Sequence, residues 1–72
     1  MNIDLQLTNL EEHLRIAKRR LQDEENNLLV VTGTPYALYH ENEVNKAKNI
    51  VSMYENQIRN LKSLKRNRKE VL

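Results

Sequence analysis

Cysteine, tryptophan and phenylalanine are missing from this 72-residue chain, and glycine and proline occur once each. Without cysteine there is neither a disulfide framework nor a thiolate metal cage. A single glycine rules out a glycine-rich phosphate loop, and the two serines, Ser52 and Ser63, have no histidine and acid spaced to activate them. No enzyme and no cofactor are expected. The longest apolar run is Leu28 to Val31, against the roughly 20 residues that a membrane-spanning helix needs. The opening residues Met1-Asn2-Ile3-Asp4 lack the basic stretch of an export signal, so no membrane partner and a cytoplasmic location are expected.

What the chain does have is period. Ile3, Leu7, Leu10, Leu14, Ala17, Leu21, Glu24, Leu28 and Val31 recur at alternating steps of four and three, and so do Ala37, His40, Val44, Ala47, Val51, Tyr54, Ile58 and Leu61. These are two heptad stripes, each the buried seam of a helix. Between them lies Thr32-Gly33-Thr34-Pro35. Gly33 suits the residue after a helix end, and Thr34 before Pro35 reads as an N-cap followed by proline in the first helical position. The expected fold is all-α: one domain over 1–72, an antiparallel, coiled-coil-like two-helix hairpin. Helix one should run over about 3–31, the turn over 32–34 and helix two over about 35–69. At the N-terminus Thr8 and Glu11 also match a capping box, but the unbroken stripe back to Ile3 favours the earlier start.

Folding about the turn sets Leu28 opposite Ala37, Leu21 opposite Val44, Ala17 opposite Ala47, Leu10 opposite Tyr54 and Ile3 opposite Leu61. Residues after about 62 are left without partners. One layer is polar, Glu24 opposite His40. Its plain role is a partly covered hydrogen bond that fixes register; its sharper role is a functional ionisable pair.

A second apolar set lies off the seam: Leu5, Ile16, Leu38, Ile50, Met53 and Leu64. Below roughly 70–80 residues a single core supplies only about 3–5 kcal/mol. Self-association into a helical bundle, a homo-oligomer, is therefore expected, with this set as the oligomer or partner face.

Three further features bear on function. Residues 59–72 carry six basic side chains and one acidic, whereas residues 1–58 carry six basic and nine acidic. The patch Arg59, Lys62, Lys65, Arg66 and Lys69 could neutralise nucleic-acid phosphates, or simply solvate a helix end and complement its dipole. Around the turn, Thr32, Gly33, Thr34, Tyr36, Tyr39 and His40 gather hydroxyls, rings and backbone N–H groups at the positive end of helix two, a candidate site for a small anion or nucleotide. The plainer reading is a cap and two rings over the open end of the core. His40 and Glu43 stand three residues apart with Glu24 across the seam, but His40-Glu41-Asn42-Glu43-Val44 lacks the second histidine of a zinc-binding helix, and no metal is expected.

No motif declares a family. In architecture alone the chain resembles small phage-encoded and bacterial regulatory proteins that bind and inhibit a larger partner, an analogy that does not transfer function. A non-enzymatic interaction protein, a regulator or inhibitor acting on a protein partner, is the first expectation. A nucleotide or small-anion binder is the second, and a nucleic-acid accessory protein the third.

Overall fold

The computed structural model describes residues 2–71, with side chains as far as residue 67. It holds two helices, α1 (Ile3–Val31) and α2 (Ala37–Val71), packed along their length as an antiparallel hairpin. Asn2 starts α1. Its backbone is extended, with φ −93° and ψ 104°, and its side-chain oxygen accepts a bond from the Leu5 N–H at 3.2 Å. That satisfies one of the donors a helix start leaves open, and Asp4 in the first turn complements the dipole. Thr8 lies inside the helix, its hydroxyl donating to the Asp4 carbonyl, so the alternative capping box is not used.

The turn is longer than the sequence reading gives. The Thr32 hydroxyl donates to the Leu28 carbonyl at 2.8 Å, and the Thr34 N–H and hydroxyl both donate to the Val31 carbonyl, at 3.0 and 2.6 Å. Gly33 takes φ +84°, a left-handed conformation that costs other residues about 1–2 kcal/mol. Thr34 then uses its hydroxyl to accept from the Tyr36 N–H and its carbonyl to accept from the Ala37 N–H. The latter is an i to i+3 bond. The first α-helical bond falls from the His40 N–H to the Tyr36 carbonyl. Pro35 and Tyr36 therefore belong to the turn, and α2 begins at Ala37 rather than Pro35.

Contacts between the helices reach beyond the expected ladder. The expected ladder put Tyr54 beside Leu10 and ended at Ile3 with Leu61. Glu24 and His40 still approach each other as the expected register sets them. The Tyr54 ring also stacks on His13, one turn from Leu10, and Lys65 reaches Asp4 with Nζ to Oδ1 at 2.5 Å. The chain beyond 62 is thus not without partners: Lys65 sits half-buried on the continued seam.

Both stripes face inward. Leu7, Ala17, Val44, Ala47, Val51 and Ile58 are buried, and every other residue of the two stripes is half-buried. Ala47, 3% exposed, is the best covered of the apolar core. The core is thin nonetheless, for among the described residues no side chain is wholly enclosed.

Candidate interaction surfaces

The polar layer brings its two residues together without the expected hydrogen bond. His40 Nδ1 lies 3.9 Å from Glu24 Oε2, and both side chains are about four-fifths covered, 22% and 20% exposed. That distance is within ion-pair range when the imidazole is protonated, but beyond hydrogen-bond reach. Nδ1 is left buried with no partner. The Tyr39 ring packs edge-on against the imidazole, with centroids 5.1 Å apart at 86°.

At the turn, Thr32, Gly33 and Thr34 are committed to closing the chain, since both hydroxyls are bonded to carbonyls that end α1. Tyr36 and Tyr39 remain 69% and 62% exposed. His40 faces the seam. The six residues thus share a neighbourhood, but the hydroxyls proposed as ligand groups already have partners within the chain.

The basic patch is broken up by acids. Lys62, Lys65 and Arg66 border a shallow groove whose other wall is Asp4, Thr8 and Glu11, while Arg59 and Lys62 run past Glu55 on the same side. The Asp4–Lys65 pair is largely exposed, which limits it to about 0–1 kcal/mol. Lys69 lies outside the described side chains. Nearby on α1, Arg15 donates to Glu12 through Nε and Nη2. That hydrogen bond, and then the guanidinium charge, hold the Glu12 carboxyl below the usual carboxylate range. Among the described residues no three His, Asp or Glu side chains gather to hold a metal, and no helix is long and apolar enough to cross a membrane.

The off-seam apolar residues do not form one patch. Leu5, midway between the seam residues Ile3 and Leu7, faces directly away from α2, and Leu38 falls on the same side as Lys48 and Arg59. Ile16 and Ile50 share one groove. It is floored by Ala17 and Ala47 and edged by His13 and Tyr54, whose rings stack at 5.7 Å and 16°. Helical spacing carries Tyr39, Met53 and Leu64 along the same edge of α2, with Tyr36 just before its start. Ile50 is half-buried, whereas Ile16, Met53 and Leu64 are 53%, 45% and 52% exposed.

The hairpin therefore has two unlike faces. The Ile16–Ile50 face carries four charged side chains, Arg20, Asp23, Glu43 and Lys46, two of each sign. The opposite face, around Glu11, Lys18, Glu55 and Lys62, is densely charged. The covering of the seam is lopsided in the same way: Gln6, Glu43 and Ile50 are half-buried, all on the Ile16–Ile50 side. His13 was not singled out from sequence. Its signal was there, because it stands next to the seam residue Leu14 and one turn from Leu10, the expected neighbour of Tyr54.

Comparison with known proteins returns no match: no family model fits the chain, and no curated protein or solved structure is significantly similar to it.

Proposed function

We propose that this chain is a non-enzymatic interaction protein that self-associates through a helical face and acts by binding a larger protein, as a regulator or inhibitor. One observation carries this reading. Among the described residues the hairpin encloses no side chain completely, yet it leaves Ile16, Leu29, Val30, Tyr36, Leu38 and Tyr39 each more than half exposed. Burying apolar area returns about 25 cal/mol per Å², so a chain with so thin a core has more to gain from contact with another surface than from its own interior. Among the described residues, the side chains that could ionise lie on open faces or along the seam, which suits binding to a surface.

Thermal unfolding followed by circular dichroism over a wide range of protein concentration tests the self-association on which the reading rests. A midpoint that climbs with concentration is expected from mass action. A midpoint independent of concentration would count against it and leave a monomer that needs a different partner to complete its core.

A further inference from the structure

The two faces of the hairpin differ in a way that identifies what covers one of them. We propose that the Ile16–Ile50 face is the contact with a second copy of this chain, packed about a two-fold axis near Ile50 and Met53 with the two turns at opposite ends. This rests on the self-association proposed above and specifies its surface and orientation.

Three observations carry it. The first is area: the hairpin is 59 Å long and about 15 Å across, so one face offers an area comparable to the ~800 Å² per partner of a stable interface. The second is charge. Arg20, Asp23, Glu43 and Lys46 balance to zero on this face, and Glu43 is already drawn in, 17% exposed and 3.4 Å from Lys46 Nζ. A neutral face can meet its own copy without repulsion; an interface lacking concentrated charge is also the usual composition of a dimer contact.

The third is the order of apolar residues along this edge of α2, which is near-symmetric about Ile50 and Met53. Tyr36 and Tyr39 stand at one end, Ile50 and Met53 in the middle and Leu64 at the other, with Glu43 and Lys46 in one gap and Gln57 and Asn60 in the other. Laid antiparallel on itself, this edge sets the tyrosines on Leu64 of the second copy, and Ile50 and Met53 on their own equivalents. Glu43 and Lys46 then face Gln57 and Asn60, whose amides can serve either charge. Ile16 falls at the same level on α1 and meets its equivalent. Turns at the same end would instead place α2 against α1 of the second copy. Leu64 would then lie level with the first turn of α1, where the adjoining off-seam residue is Gln6, and no apolar side chain would cover it.

The test joins sedimentation with cross-linking. Wild type should sediment as two chains, and Ile16→Glu with Met53→Glu should reduce it to one, whereas Leu5→Glu and Leu38→Glu, on other sides of the hairpin, should leave two. Because the chain has no cysteine, Tyr39→Cys and Leu64→Cys proteins can be mixed and oxidised. At about 1.5 Å per residue the two positions lie roughly 38 Å apart in one hairpin, too far to bridge within it. A disulfide between the two variants is expected in preference to either self-link, and both sites are exposed enough for the fold to tolerate the change. Self-linked Tyr39→Cys as the main product would overturn the orientation. A dimer broken by Leu38→Glu but not by Ile16→Glu with Met53→Glu would overturn the surface while leaving self-association standing; a single chain throughout would remove both.

Discussion

Replacing the Glu24–His40 layer with leucine on both sides should make the protein more stable. In the wild type His40 Nδ1 is buried without a partner and Glu24 stands 3.9 Å away, so the layer carries desolvation without a hydrogen bond to offset it. An unsatisfied buried polar atom costs about 1–3 kcal/mol. Each leucine, if fully buried, would add about 1.5–3 kcal/mol, reduced here because roughly a fifth of each site remains exposed. Allowing for imperfect repacking, a gain of about 2–4 kcal/mol follows, or about 10–20 °C in Tm for a domain of this size. The assay is denaturant unfolding of the four proteins of the cycle, wild type, Glu24→Leu, His40→Leu and the double variant, at one fixed concentration and neutral pH. Each single variant leaves the other polar group against a leucine and should fall below the double. The reasoning is refuted if the double variant is less stable than wild type, since the pair would then be contributing more than two apolar side chains of similar size.

Other expectations follow from the turn, the mid-hairpin and the surface. Gly33→Ala should cost about 1–2 kcal/mol, because φ is +84° while nothing lies within 4 Å of an added Cβ; a neutral result in chemical denaturation would mean that the turn can relax. Ala47→Leu should destabilise by about 1–3 kcal/mol through overpacking where Ala17 and Ala47 are both buried, read as a fall in Tm at fixed concentration. The Glu12 carboxyl, held low by Arg15, stabilises the fold above the ordinary glutamate range, and that contribution is lost as pH falls through its lowered value. Glu12→Gln should accordingly lie slightly below wild type at neutral pH and converge with it in acid, in paired thermal melts.

The helices were legible because a seam every three and four residues has one physical meaning, and each residue of the two stripes is covered. What the stripes could not convey was the reach of the polar side chains beside them. Nor could they convey the turn, where the Thr34 hydroxyl and carbonyl accept from Tyr36 and Ala37 and draw Pro35 and Tyr36 out of α2. Lys65 continues the heptad step as a charged residue, and its half-covered side chain pairs with Asp4 at the start of α1. The off-seam residues were legible as apolar but not as sides of a solid. Leu5, Leu38 and Ile16 part company only when α1 and α2 are laid together, and the same step reveals a neutral face and a charged one. The contact of Glu24 with His40 was readable from spacing alone, whereas the missing hydrogen bond depends on side-chain geometry that no repeat encodes.

Sedimentation equilibrium of the wild-type protein, run from micromolar to submillimolar concentration, tests the central claim that one hairpin is an incomplete unit. Twice the 8.6 kDa chain mass is expected at the upper concentrations, with dissociation on dilution. A fully helical species of one chain mass at every concentration would contradict it.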